Sequence, residues 1–458
     1  MVSTNRLLVP QPVLPLGLCQ VAASAEAAGH QVSILDLCFH RAPGMALRNA
    51  IRAFGPDVIA FSIRNLDNSD GSSARSYVPD LRRLMAVVHR EHTGPVVIGG
   101  PAVSIAPEGL LHRLGASYAF VGEGEETLPR FLTSMEHGIA PESRVIRSTY
   151  GASDAVSSAY PFSALRKLPL HRYEAYGTPI PIQTRRGCAM QCAYCTYPLI
   201  EGSDYRLKAP RQVAEEIEEA GRLLPLRAVE FVDSTFNVPL EHAYVVCEEL
   251  ETRRNRIPLY TTSINPSAVS TGLFRLMERA GFTAIAASVE SASDEVLNAL
   301  KKGYTSRNVI ETIRAARMTQ MARMWVFILG GPGETERTAK ETLDFISKYI
   351  GDRDFAMVTC GLRIYPGTEL EQIARRQGVL NGTEDLLMPA FYFSPEIGRE
   401  RLLRMIQKAG LSGSGTIFIS DLGSRMLPLT QRVHTLLGMS PPYWRHSRPL
   451  VRLRRVFG

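Results

Sequence analysis

The sequence predicts an α/β protein with an N-terminal doubly wound parallel sheet, a partial (β/α)6 barrel and a mixed, mainly helical C-terminal region. Two observations support this fold class. Short apolar runs alternate with segments of helical spacing over residues 1–139, and the alternation resumes near residue 180 and continues to about residue 364. The length of 458 residues corresponds to roughly three domains, or two if one is large. We expect domains at 1–139 and 179–375, a linker at 140–178 and a C-terminal region at 376–458.

Five strands are expected in the first domain, at 6–9, 31–37, 57–63, 95–98 and 118–121. Helices are expected at 16–28, 45–54, 77–92, 107–114 and 127–137. Sheets of this kind bind ligands at the carboxyl ends of their strands. At those ends the sequence has Arg64, then the pair Gly99 and Gly100, then Gly122 and Glu123. Paired glycines let a bulky ligand approach the backbone closely, so we expect a ligand site here. No Gly-x-Gly-x-x-Gly motif follows the first strand, which disfavours a nicotinamide cofactor.

The second βα series supplies six strands, at 180–184, 228–232, 259–264, 284–289, 324–329 and 357–364. Helices are expected at 213–223, 241–254, 271–280, 294–300, 307–318 and 338–349. Six parallel βα units can curl into a partial barrel with its chemistry at the C-terminal mouth of the strands.

Three of the seven cysteines lie in one loop directly after the first barrel strand. Residues 187–195 read GCAMQCAYC, which spaces Cys188, Cys192 and Cys195 as Cys-x3-Cys-x2-Cys. Three thiolates can hold a four-iron cluster and leave one iron open for chemistry. A structural zinc site needs a fourth ligand, and the nearest preceding histidine, His171, lies well outside the loop. The remaining cysteines are expected to be small buried hydrophobic residues.

This loop resembles that of radical S-adenosylmethionine (SAM) enzymes. Four further segments resemble the family in the correct order: 230–237 (EFVDSTFN), 288–303 (beginning SVES), 330–335 (GGPGET) and 363–370 (RIYPGTEL). The match covers about residues 179–375. The resemblance implies that the open iron binds the amino and carboxylate groups of SAM, with Tyr194 near the adenine. It also implies further SAM contacts from Ser234, Thr235, Glu290, Gly331 and Arg363.

The first domain resembles the Rossmann-like cobalamin-binding domain found in one branch of that family, over about residues 5–135. The matching stretches are 15–18 (PLGL), 27–32 (AAGHQV), the Gly99-Gly100 pair and 122–127 (GEGEET). The cobalamin contacts that this resemblance implies are Ser62, Arg64, Gly99, Gly100, Gly122 and Glu123.

One departure from the cobalamin-domain pattern concerns the lower face of cobalt. Many such domains carry Asp-x-His-x-x-Gly, whose histidine binds the metal, whereas residues 10–14 here read PQPVL. We therefore expect no histidine ligand. Arg64 is a candidate to face cobalt instead, where a cation would disfavour water as a ligand. Alternatively, Arg64 pairs with Asp67 or Asp70.

The resemblance implies a cobalamin-dependent radical SAM methyltransferase that acts on an unactivated carbon, or phosphorus, of a small molecule in secondary metabolism. Its cofactors would be a 4Fe–4S cluster, SAM and methylcobalamin, and its partners a small-molecule substrate and a reductant such as flavodoxin or ferredoxin. An oxidative cyclase or rearrangement enzyme without net methyl transfer is the alternative. A tRNA methylthiotransferase is a further hypothesis, and so is a non-catalytic cobalamin sensor or electron carrier.

Trp325, Tyr365 and residues 391–393 are candidates to line the substrate pocket or to lie in the core. Residues 376–458 would close the site.

Composition and the absence of long apolar runs limit the class of protein and its expected location. With 45% hydrophobic and 21% charged residues, the chain is typical of a globular protein and not of a disordered or fibrous one. No apolar run approaches the ~18 residues of a membrane span, and no signal peptide is evident at the start, so we expect a cytoplasmic protein that binds no nucleic acid. The oligomeric state is not predicted.

The positive charge of the chain is concentrated at its C-terminal end. Residues 425–458 contain seven of the arginines and no Lys, Asp or Glu, so residues 1–424 are neutral overall. This segment is either a solvated arm or a contact for an anionic lipid surface, nucleic acid or an acidic partner.

Overall fold

The computed structural model describes residues 1–71, 73–149, 159–351, 354–409, 416–418 and 427–446. Two parallel sheets with flanking helices form its two halves, as the sequence predicts. Among the described residues, no helix is both long and apolar enough to cross a membrane.

The first sheet has six parallel strands in the order β2-β1-β3-β4-β5-β6. Its strands are β1 (Val2–Ser3), β2 (Leu35–Asp36), β3 (Ile59–Ser62), β4 (Val96–Gly99), β5 (Tyr118–Val121) and β6 (Val145–Arg147). Its helices are α1 (Leu16–Ala27), α2 (Pro43–Phe54), α3 (Val78–Glu91), α4 (Pro101–Ile105), α5 (Pro107–Leu114) and α6 (Gly124–Glu136). The carboxyl ends of β3, β4 and β5 therefore meet at one edge of the sheet.

Two expectations for this sheet are wrong. The first strand is Val2–Ser3 and not residues 6–9, whose Leu8 packs instead against the hydrophobic core that α1 shares with the barrel. A sixth strand, β6, lies within the segment expected as a linker, and its pairing with β5 extends the sheet. The apolar pattern alone does not separate a strand from a connection that is buried against another domain.

The second sheet has seven parallel strands in the order β17-β14-β13-β12-β11-β10-β7. Strands β7–β17 are Ile180–Ile182, Arg185–Arg186, Arg206–Leu207, Val229–Phe231, Leu259–Ile264, Phe282–Glu290, Ala322–Leu329, Asp354–Cys360, Leu362–Arg363, Phe391–Tyr392 and Thr416–Phe418. Two short antiparallel pairs, β8–β9 and β15–β16, stand outside the sheet. The seventh strand of the sheet, β17, comes from the region expected to be mainly helical, so the barrel has one strand more than the predicted six.

Helices α7–α18 are Phe162–Leu165, Leu170–Glu174, Tyr197–Glu201, Pro210–Leu223, Leu240–Thr252, Thr271–Arg279, Asp294–Ala299, Ser306–Ala316, Glu336–Tyr349, Glu369–Arg376, Arg399–Lys408 and Leu427–Leu436. The first two lie in the segment expected as a linker, yet Leu165 and Tyr173 are fully buried. That segment is therefore part of the packed body.

Side chains along each barrel strand point alternately to the outer face, which packs in the main core, and to the inner face, which lines the lumen of the barrel. Phe231 and Leu259 pack outward in the main core. Trp325 is fully buried in the same core, which is one of the two positions expected for it. On the opposite face, Tyr260 clusters with Trp444 from the C-terminal region.

Candidate active site

The cysteine loop, residues 187–196, is anchored by backbone hydrogen bonds. The N–H of Cys188 donates to the carbonyl of Gly202 at 3.0 Å, and the N–H of Ala193 donates to Leu300 at 3.0 Å. Gly187 has a φ of +82°, and a Cβ there would stand 1.9 Å from the carbonyl oxygen of Asp204. Only glycine fits this entry to the loop.

The three thiols of the loop lie close enough to influence each other's ionisation. Burial raises the pKa of Cys195 to about 12, and Cys192 and Cys188 add to this rise. Burial also raises the pKa of Cys192. Three neighbouring thiolates here need a strongly cationic group to balance them, and iron provides it. Within the described ranges no three Cys, His, Asp or Glu side chains converge on a single ion, and a cluster whose irons each take one thiolate requires no such convergence.

Side chains from β8 and the end of β10 hold the start of the cysteine loop. The buried Arg185 donates from Nε to the carbonyl of Thr235 at 3.0 Å and from Nη1 to that of Gly187 at 2.5 Å. Ser234 Oγ donates to the same Gly187 carbonyl at 3.3 Å. Asp233 accepts the backbone N–H of Arg185 at 3.1 Å. Ser234 and Thr235 thus position the loop, and their expected contact with SAM stays a prediction.

Glu290 ends β12 with one carboxylate oxygen bound and the other free. Its Oε1 accepts from Tyr194 Oη at 2.6 Å and from Lys302 Nζ at 3.2 Å. Its Oε2 is buried and has no partner among the described residues. A buried acceptor of this kind can take a donor from a ligand, so the expected contact between Glu290 and the ammonium group of SAM stays a prediction that this oxygen would fit.

Lys302 lies near the end of the 288–303 segment, and its contacts show what it does. Burial lowers its pKa, but Tyr194 and Glu290 outweigh burial and hold the pKa well above its usual value. The lysine therefore stays charged and compensates the buried carboxylate. Tyr194 places its hydroxyl on this pair, so its expected position near the adenine stays a prediction.

The turn that contains Gly331 is closed by Glu334, which accepts the N–H of Gly330 at 3.1 Å. Atoms of Leu300 and Leu362 stand 3.4 Å from the position of a Cβ on Gly331. The turn is therefore tightly packed, and the expected contact between Gly331 and SAM stays a prediction.

Arg363 does not point to a cosubstrate, and that expectation is wrong. Its Nε donates to Asp67 Oδ2 at 2.6 Å, its Nη2 donates to the carbonyl of Leu386 at 2.8 Å, and its Nη1 binds the carbonyl of Ile364. The side chain of Asp67 is fully buried, so it requires this counter-charge. Arg363 joins the two domains.

A cavity of about 500 Å³ lies between the two domains at the carboxyl edge of the first sheet. Its wall on the first-domain side contains every residue expected to bind cobalamin: Ser62, Arg64, Gly99, Gly100, Gly122 and Glu123. Gly100 has a φ of +97°, and a Cβ there would lie 2.8 Å from the carbonyl oxygen of Ile63. The amide nitrogen of Asn5, on the same wall, is buried without a partner in the described structure. These features fit the amide-rich edge of a corrin, which offers many acceptors.

Of the two charged residues expected to bind cobalamin, Glu123 is ion-paired and Arg64 is not ion-paired with any other described residue. The carboxylate of Glu123 binds Arg206, and it binds Arg186 at 3.0 Å. Burial raises the pKa of Glu123, but these two cations bring the pKa below its usual value. The guanidinium of Arg64 makes no ion pair or hydrogen bond with any other described residue, and Asp67, one of its two expected partners, binds Arg363. Arg64 is thus left to face the cavity.

Comparison with known proteins agrees with this arrangement. The family model for the B12 binding domain matches residues 3–132, and that for the radical SAM superfamily matches residues 182–346. An uncharacterized methyltransferase of Pyrococcus horikoshii is 24% identical over 418 residues, which cover 87% of each chain. The tryptophan 2-C-methyltransferase of Streptomyces laurentii is 23% identical over 78% of this chain and 71% of its own.

A solved structure matches over the whole chain. TsrM from Kitasatospora setae, a radical SAM methyltransferase with cobalamin and a 4Fe–4S cluster bound, superposes with a TM-score of 0.83 at 21% identity, covering 100% of this chain and 99% of its own. This likeness concerns the fold. The two family models and the cysteine loop together show a chain that carries a B12 binding domain followed by a radical SAM domain.

Proposed function

We propose that this protein is a C-methyltransferase that acts on an unactivated carbon of a small molecule. The observation that supports this most is the position of α9, which begins two residues after Cys195. Tyr197, Ile200 and Glu201 on this helix line the cavity opposite the residues expected to bind cobalamin. The helix that follows the cysteine loop is therefore also a wall of the cavity. This arrangement would bring a source of radicals and a source of methyl groups to the same space.

The bound cofactors supply hydrogen abstraction and a transferable methyl group, and the chain supplies position and charge. We propose that Cys188, Cys192 and Cys195 hold the cluster. Glu290 would receive the ammonium group of SAM on its free oxygen while Lys302 balances the charge. Arg64 would face the bound cobalamin from the cavity wall, where its positive charge would disfavour water as a ligand of the metal. A flavodoxin or ferredoxin is the class of reductant that we propose.

The lumen face of β10 carries an acidic side chain, Glu230. Glu230 on β10 accepts from Tyr260 Oη at 3.3 Å and from Thr262 Oγ1 at 3.1 Å, and it forms no ion pair with a described cation. Burial raises its pKa, while both hydroxyls and Arg64 lower it. A half-buried carboxylate that holds only neutral donors is suited to a substrate N–H or ammonium group. We therefore propose a nitrogen-bearing substrate.

The experiment uses the anaerobically reconstituted holoenzyme with SAM, a reductant and three probes: tryptophan, tryptamine and indole-3-propionate. Methyl transfer yields S-adenosylhomocysteine and a product heavier by one methylene. The proposal expects both with a probe that carries an amine, and less with indole-3-propionate. Formation of 5′-deoxyadenosine and a modified product without S-adenosylhomocysteine would instead indicate the cyclase or rearrangement chemistry.

A further inference from the structure

Helix α18 (Leu427–Leu436) packs with its polar side inward. Gln431 is only 5% exposed, Thr435 Oγ1 lies 2.7 Å from Tyr443 Oη, and the ring of His434 lies 5.2 Å from that of Tyr443. A helix on the surface of a globular domain normally buries its apolar stripe and exposes its polar one. This helix does the opposite.

The outward side of α18 and the residue after it carry four large hydrophobic residues. Their exposed fractions are 55% for Leu429, 46% for Val433, 86% for Leu436 and 71% for Leu437. Spacings of four, three and one residues place them on one face of the helix. Leu436 and Leu437 are the two most exposed large hydrophobic residues of the described chain. An exposed apolar patch of this kind marks a surface that binds something.

The charge around this apolar stripe indicates what it binds. Residues 425–458 contain seven arginines and no acidic residue. Arg432 lies on the helix itself, beside the stripe, and is exposed. A second copy of the chain would bring the same positive charge against it. A nucleic acid would use the arginines and leave the leucines in water, whereas an anionic bilayer uses both, through its headgroups and its acyl boundary.

We propose that α18 docks this enzyme onto an anionic lipid surface. The helix lies along the interface with Leu429, Val433, Leu436 and Leu437 in the acyl boundary. Arg432 meets the lipid headgroups, and the net positive charge of residues 425–458 adds to the attraction. With ten residues, the helix is too short to span the bilayer. The four hydrophobic residues do not line the cavity between the domains, so this docking is independent of the reaction that the enzyme catalyses.

Cosedimentation of the full-length holoenzyme with vesicles tests this. One set of vesicles is phosphatidylcholine alone, and the other contains one quarter phosphatidylglycerol. We expect binding to the anionic vesicles that falls as sodium chloride is added, and at least ten-fold weaker binding to the neutral vesicles. The triple variant Val433→Gln, Leu436→Gln, Leu437→Gln should lose at least ten-fold in affinity.

The matched control is Met45→Gln with Met318→Gln, two residues exposed by 60% and 57% elsewhere on the surface. This variant should bind vesicles like the unmodified protein, and circular dichroism checks that both variants are folded. Failure to bind anionic vesicles would overturn the proposal. Equal loss in both variants would do so too. A third result would also overturn it: the protein does not bind vesicles but binds duplex RNA or dimerises, and the triple variant abolishes that binding or dimerisation.

Discussion

The carboxylate of Glu290 has one satisfied oxygen and one buried oxygen without a partner in the described structure. The charge-assisted bond that it would make to SAM is worth about 1.5–3 kcal/mol. Glu290→Gln should therefore weaken SAM binding by about 10- to 100-fold, which equilibrium dialysis against the reconstituted protein measures. Glu369→Gln is the control, because Glu369 pairs with Lys301 at the surface. Equal SAM affinity in both variants would remove Glu290 from the SAM site.

We expect Arg64 to face cobalt, because its guanidinium has no ion pair or hydrogen bond with another described residue. In the Arg64→Ala variant with cobalamin bound, water should reach that face, and the absorption spectrum should change to that of a water-ligated form. Arg82→Ala, an exposed arginine on α3, should leave the spectrum unchanged. An unaltered spectrum and an unaltered rate of methyl transfer in Arg64→Ala would contradict the account.

The sequence predicts these residues to different degrees because their partners lie at different distances along the chain. The cysteine ligands are local, so their spacing alone indicates a cluster. Lys302 finds Tyr194 across 108 residues, and Arg363 finds Asp67 across 296. No local sequence pattern predicts such a pairing. An arginine at the barrel mouth could bind the carboxylate of SAM or that of another residue, and the sequence alone does not distinguish the two.

At the scale of elements, the cysteine loop depends on the backbone of a single glycine. Gly187→Ala places a methyl group against the carbonyl of Asp204 and should displace the loop, so the reconstituted protein should lose most of its iron. The control is Gly138→Ala, where φ is also positive, at +71°, but nothing lies within 4 Å of the new Cβ. Its iron content should be normal. Full iron in Gly187→Ala would show that the loop tolerates the shift.

Most of the elements follow from the alternation of apolar runs with helical spacing, and β5, α5 and β11 coincide with their predicted bounds. Strands β6 and β17 could not be predicted in this way. Each joins the edge of a sheet that is already formed, β6 beside β5 and β17 beside β14. Their pairing depends on a tertiary partner and not on a distinctive pattern of their own.

For the whole molecule, the relation between the two domains is held partly by the pair of Asp67 and Arg363. Asp67→Asn leaves a buried guanidinium without its counter-charge, which costs about 3–5 kcal/mol and should lower the midpoint of urea denaturation. Asp80→Asn is the control, since Asp80 pairs with Arg83 on an exposed helix, and it should cost less than about 1 kcal/mol. Equal midpoints for the two variants would mean that the pair does not hold the domains together.

The central claim is that the cysteine loop and the cavity between the domains hold two different cofactors in one chain. The most direct test is to express the protein anaerobically with cobalamin supplied and to measure bound iron, sulfide and cobalamin per chain. We expect about four irons and one cobalamin. A variant with Cys188, Cys192 and Cys195 changed to Ala should keep the cobalamin and lose the iron. Four irons without cobalamin, or neither cofactor after careful reconstitution, would contradict it.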